Sequence, residues 1–206
     1  MNVQSSSAIN EFLLESQATQ EARLFAPEGS QHFGMTGPAS PLSGDRVIKC
    51  NSTGSFLLPD SAIFDVCSYI IFKCGPISVS RLQLLVYYSY VWTLVWDDKE
   101  LFQCDILAGI NGPLIKPLYD YYKGDSEISD SIIGSSCNLT EEDRDSIDTV
   151  LSAYSQYKTG QLIEISQKER PWRLARGNSR DFEYTPVMKK EAILEYYRSL
   201  ISEDNG

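Results

Sequence analysis

A chain of 206 residues has the size of one domain with room for an extension, and 42% hydrophobic residues with 12 Tyr, 8 Phe and 3 Trp can supply a substantial core. The formal charge of −10, from 18 basic against 28 acidic side chains, argues against the phosphate-neutralising surface that non-specific nucleic-acid binding needs. The one histidine, His32, sits in a Gly/Pro/Ser-rich stretch, which argues against a histidine triad and against a histidine zinc site.

Residues 1–44 read as peripheral. Ser5, Ser6 and Ser7 can cap a short helix bearing Ile9, Phe12 and Leu13, and the following APEGSQHFGMTGPASPLSG has linker composition. No apolar run precedes Arg23, so no secretory leader is expected. The uncharged, Ser- and Gln-rich start also fits a segment exported by needle-type secretion. Residues 45–58 suggest two short extended pieces around Asn51–Gly54, a small hairpin. Residues 1–60 are therefore expected to form an N-terminal extension, partly disordered or docked, and residues 202–206 a frayed tail.

Between them the patterning is helical. Asp60 or Ser61 caps a helix in which Ile63, Val66, Cys67 and Ile70 share a stripe that Phe64 and Ile71 widen, and Gly75-Pro76 ends it. This run is too short for a membrane span and contains Asp65. Ser80 with Gln83 reads as a capping box opening a second helix, apolar nearly all round, with Leu82, Leu85, Val86, Trp92 and Trp96 at helical spacing and Tyr87, Tyr88, Tyr90 and Val91 on its other sides. Asp97-Asp98-Lys99 breaks it. Residues 100–110 fit a strand by alternation, without excluding other structure. Asn111-Gly112-Pro113 is a tight turn, and Pro113 suits the first turn of a helix through Pro117, Leu118, Tyr121 and Tyr122. After a polar loop, Thr140 and Asp143 form a capping box for a helix with Ile147, Val150, Leu151 and Tyr154 inward, ending at Lys158-Thr159-Gly160. Residues 161–167 form a short helix, Arg170-Pro171-Trp172 turns the chain, and Thr185-Pro186 opens a last helix carrying Ile193, Tyr196, Tyr197, Leu200 and Ile201. The fold class predicted is mainly α: a single helical bundle domain of five or six helices over residues 61–201, with at most a short β-hairpin.

No nucleotide-binding glycine motif and no nucleophile elbow occurs. Glu141, Glu142, Asp143, Asp145 and Asp148 lack calcium-loop spacing and fit a helix start. The five cysteines, at 50, 67, 74, 104 and 137, have no C-x-x-C pair and read as small apolar filler in a reducing compartment. Residues 168–190 hold seven basic and three acidic side chains, either a solvated loop or a contact patch for an acidic partner. No metal site, cofactor or catalytic group is expected. Tyr87, Tyr88, Tyr90 and Trp92 can serve as core packing, as a partner-binding aromatic pocket or as a base-stacking face. The turn at Asn111 is a plain turn or a recognition loop.

Several of these residues carry a resemblance. Arg81 through Ser89 (RLQLLVYYS) with Trp92, then Glu100-Leu101-Phe102, Ala108 through Leu114, Pro117-Leu118-Tyr119, and Leu162 through Trp172 with Glu169, Pro171 and Trp172 resemble, in order, the motifs of the Panacea domain, the SocA-like and GepA-like antitoxin family. The similarity spans about residues 61–201. Leu84 replaces a usual Lys, Asn111 a common aromatic and Gln167 a common His. The resemblance implies a non-enzymatic, cytoplasmic helical protein that neutralises a protein toxin by direct binding, in one branch as an adaptor presenting the toxin to a protease. The alternative is a secreted or phage-derived effector that uses the same domain on a host protein. Gln83, Tyr87, Trp92, Asn111, Gly112, Pro113, Tyr119, Pro171 and Trp172 are the candidate partner-binding residues, with no nucleic acid or membrane as partner.

Overall fold

The structure, a computed structural model, describes residues 61–129 and 133–202. The expected extension, the hairpin at 45–58 and most of the tail lie outside the described residues. In order, the chain forms α1 (Ser61–Cys74), β1 (Ile77–Ser78), α2 (Val79–Asp97), β2 (Ile106–Gly109), β3 (Gly112–Ile115), α3 (Lys116–Tyr121), β4 (Glu127–Ile128), α4 (Glu141–Tyr154), α5 (Thr159–Lys168), α6 (Arg170–Arg176) and α7 (Lys190–Ser202), with one 3-10 turn at Ser136–Asn138. The architecture is mainly α, with two small antiparallel sheets, β1 with β4 and β2 with β3.

Helix α2 is the axis of the bundle. Every residue from Leu82 to Leu94 is buried, as a helix without a polar face demands, and α1, α4, α5, α7 and β3 pack around it. It stops where Asp98 takes the left-handed conformation at φ 52°. At its other end the cap is Ser78, whose hydroxyl accepts from the Arg81 N–H at 3.3 Å. The expected box of Ser80 and Gln83 does not form, because Gln83 turns inward. Arg81 reaches across to the C-terminal turn of α4 and donates to the carbonyls of Tyr154, Ser155 and Tyr157, acceptors that the helix end leaves free.

Helix α4 begins as its sequence dictates. Thr140 and Asp143 exchange both capping-box bonds, at 3.1 and 3.2 Å. Burial raises the Asp143 carboxyl, but the bonds from Lys99 (2.6 Å) and Thr140 outweigh it and hold the group below the usual carboxylate range. Asp65, buried on α1, accepts from the Ser135 N–H at 2.6 Å and the Asn138 amide at 3.1 Å and so fixes the turn before α4.

Four boundaries differ from the expectation for physical reasons. Pro113 lies in β3 and does not open α3, which starts at Lys116 with Pro117 in its first turn, where a missing N–H costs no bond. Thr159 and Gly160 begin α5 instead of ending α4, with the Lys158 N–H donating to Gln161 at 2.8 Å. Arg170-Pro171-Trp172 opens helix α6, since proline in a first turn forfeits an N–H that has no partner there anyway. Thr185-Pro186 does not open α7, which starts at Lys190; the Pro186 carbonyl instead accepts from the Ala108 N–H at 2.7 Å. Of the cysteines, Cys67 is a buried filler, Cys104 is partly covered, and Cys74 and Cys137 are exposed. No helix of the described residues is long and apolar enough to cross a membrane.

Candidate partner-binding site

The β2–β3 hairpin is the point on which side chains from three helices converge. Gly109 pairs with Gly112, and Ile110-Asn111 form the loop between them. From α2, the Gln83 amide donates to the Ile115 carbonyl at 3.2 Å and accepts from its N–H at 3.0 Å, so one side chain imitates a neighbouring strand. From α5, Gln167 donates to the Ile110 carbonyl at 2.7 Å. From α6, Trp172 donates to the Gly109 carbonyl at 3.0 Å and Arg176 to the Ala108 carbonyl at 2.8 Å. Gly112 is required twice over. Its φ is 106°, and a Cβ there would lie 2.5 Å from the Ser166 hydroxyl and 3.3 Å from a Leu84 methyl.

Both edges of this hairpin are closed. On the outer edge of β3, Pro113 has no N–H and Gln83 occupies Ile115. On β2, a strap of chain ahead of α7 pairs through Leu107 and Val187, with the Met188 N–H donating to the Ile106 carbonyl at 2.7 Å.

A separate buried polar centre gathers on Glu169. Glu169, between α5 and α6, is 1% exposed and accepts from Tyr197 at 2.7 Å, Tyr88 at 2.8 Å and Tyr87 at 3.4 Å. Tyr154 stacks on Tyr88 with ring centroids 4.2 Å apart and its hydroxyl accepts from the Trp92 indole at 3.1 Å. Burial pushes the Glu169 carboxyl up to about 8, against the pull of its three hydroxyl donors. Burial first, and then the Glu169 charge, drive the Tyr87, Tyr88, Tyr154 and Tyr197 phenols well above their ordinary value. At neutral pH the carboxyl is therefore mostly protonated, and these hydroxyls stay neutral. The cluster is a buried hydrogen-bonded knot that joins α2, α7 and the α5–α6 corner.

The candidate residues divide accordingly. Tyr87 and Trp92 belong to the knot and are buried, as are Gln83, Gly112, Pro113 and Pro171. Asn111 and Tyr119 are exposed, and Trp172 is half-buried against the hairpin. Gln83, Asn111, Gly112, Pro113 and Tyr119 share one groove of about 460 Å³, which Phe182 and Thr185 also line. Phe182 is 76% exposed and Tyr119 42%. Trp172 and Gln83 meet the same hairpin from different helices, which joins the two ends of the candidate set. The base-stacking reading of the α2 aromatics is overturned by burial: Tyr87, Tyr88, Tyr90 and Trp92 present no face to a base.

Reading the residues alone missed Phe182, Arg176 and Gln167 as members of the site, and missed Tyr197 as a partner of Glu169 and Tyr154 as a partner of Trp92. The basic excess of residues 168–190 is partly spent internally. Arg170 pairs with Glu195 at 3.0 Å, Lys190 pairs with Glu100, and Arg176 is buried on backbone carbonyls.

Residues 82–173 match the family model described as antitoxin SocA-like, Panacea domain. No curated protein and no solved structure matches the chain. The matched segment runs from α2 through the hairpin to the Trp172 that grips it. Over residues 82–173 the chain is thus similar to the Panacea domain of SocA-like antitoxins.

Proposed function

We propose that the protein is a non-enzymatic antitoxin that acts in the cytoplasm and neutralises a toxic protein by direct contact, through the groove between the hairpin loop and Phe182. The observation that carries the reading is this groove. It is built on the family-matched hairpin, and its walls end in the exposed Asn111, Tyr119 and Phe182. Exposed aromatic anchors beside a walled depression are what protein partners use. Because both hairpin edges are closed, the contact is made by side chains rather than by an added strand. The buried polar groups of the centre serve one another and the backbone, which suits a scaffold for binding rather than a reaction. Presentation of the bound toxin to a protease is an adaptor mode of the same reading, and it would shorten the toxin's lifetime in the cell.

The test is co-expression with the toxic protein encoded beside its gene. The expected result is restored growth and a stoichiometric complex, with rescue abolished by Phe182→Ala combined with Tyr119→Ala. Continued growth arrest without a complex would sink the reading. A toxin half-life unaffected by this protein removes the adaptor mode and leaves neutralisation by occupancy.

A further inference from the structure

We propose that Arg176 is a positioning residue for the partner-binding face: it fixes the strap of residues 181–187 against the hairpin and so sets where Phe182 stands over the groove. The inference rests on the reading of that groove as the docking site.

The strap is not held by its own side chains. Arg180, Asp181, Phe182, Glu183, Tyr184 and Val187 are all exposed. It is held by its backbone, and Arg176 supplies much of the hold. The Arg176 side chain, 2% exposed at the end of α6, donates from Nη2 to the Asp181 carbonyl at 2.6 Å and from Nη1 to the Tyr184 carbonyl at 2.5 Å. The same Nη1 donates to the Ala108 carbonyl of β2 at 2.8 Å. A single guanidinium therefore ties the two ends of the Asp181–Tyr184 bend to the strand behind them. Phe182 lies inside that bend, so its position follows from those bonds.

The chemistry of the clamp is specific to arginine. Among the described residues Arg176 makes no ion pair. Its donors go to three carbonyls on two chain segments, and its guanidinium carbon lies 6.0 Å from the Trp172 ring centroid. A planar fork spans such a set, whereas a lysine ammonium is a point donor on a flexible stem. A carboxylate partner would neutralise the charge but leave the strap without a tie. A buried cation spent wholly on carbonyls is an arrangement for holding backbone.

The experiment uses the full chain and three variants: Arg176→Lys, Phe182→Ala and an insertion of two glycines after Ser179. Hydrogen exchange is followed by mass spectrometry on the free protein, and affinity is measured by titration with the toxic protein whose growth arrest the chain relieves. In Arg176→Lys, exchange of the 181–188 amides is expected to rise about tenfold while that of α2 is unchanged. Affinity is expected to fall about tenfold in all three, with Arg176→Lys and Phe182→Ala together no weaker than the weaker of the two, the signature of residues acting through one contact. The glycine insertion frees Phe182 while leaving Arg176 in place, so it tests the same idea should the lysine variant fold poorly. Unchanged exchange across residues 181–188 in Arg176→Lys overturns the positioning role and leaves the docking reading standing. Full affinity in Phe182→Ala overturns the docking reading, and the positioning role falls with it.

Discussion

Two clusters rich in aromatic side chains, one around Glu169 and one around the groove, are built on opposite terms. Around Glu169, tyrosines from α2 and α7 bury both their rings and their hydroxyls, and each hydroxyl finds a partner in the cluster. Around the groove, Tyr119 and Phe182 keep much of their surface in water, and only the backbone beneath them is fixed. The first arrangement gives stability and uniqueness, because a satisfied buried polar network tolerates no alternative packing. The second leaves apolar surface exposed to water. Aromatic content alone does not separate the two. What separates them is whether the ring is enclosed by the fold, with its hydroxyl paired inside, or left facing water.

The largest blow to the first cluster is Trp92→Ala. It empties a fully buried ring site and leaves the Tyr154 hydroxyl without its indole donor, a loss of about 3–5 kcal/mol that chemical denaturation will read. If the loss is below about 1 kcal/mol, the knot is not the stabilising centre.

Glu169 sharpens the same contrast through pH. Its carboxyl titrates at about 8 when folded and near 4.5 when not, so the folded chain holds a proton that the unfolded chain releases. The sign follows: the contribution is full below about 4.5 and is lost as pH rises through about 8. From pH 5 to 8 the wild type should lose on the order of 3 kcal/mol that Glu169→Gln does not lose. Parallel stability profiles for the two proteins would show the carboxyl to be ionised in the fold.

Gly112→Ala probes the seam between the regions. The positive φ and the approach of Ser166 should cost about 1–3 kcal/mol, measured as a fall in the denaturation midpoint. Combining it with Ser166→Gly should recover part of the loss, since the clash is with that hydroxyl. The smallest effect belongs to Phe182→Ala, which should change stability by less than about 0.5 kcal/mol. A larger loss would place Phe182 in the core of the fold instead of its binding face.

The bundle was legible where one residue fixes its own neighbourhood. The apolar run of α2, the stripe of α1 and the box of Thr140 with Asp143 all show in the sequence, because each depends on spacings within a few turns. The start of α6 was not, since a proline reads equally as a turn and as a helix opening until the packing is known. In the site, the loop at Asn111 was legible from its turn chemistry. The tyrosine cage was not, because its bonds span 82, 81 and 28 residues and no local pattern marks them. Phe182 was invisible for a related reason. It lies in no periodic segment, and its role depends on an arginine whose side chain bonds backbone rather than charge.

Gln83 has a consequence for the protein's life in a crowded solution. A helix side chain that occupies both backbone groups of Ile115, two residues on from a proline that has no N–H, leaves the outer edge of β3 no donor at either position with which to recruit a sister molecule. Strand edges left bare are the usual starting point of self-association, and here the bare edge would adjoin an apolar groove open to water. A fold with Tyr119 and Phe182 exposed beside that edge is thereby denied one route to pairing with its own copies.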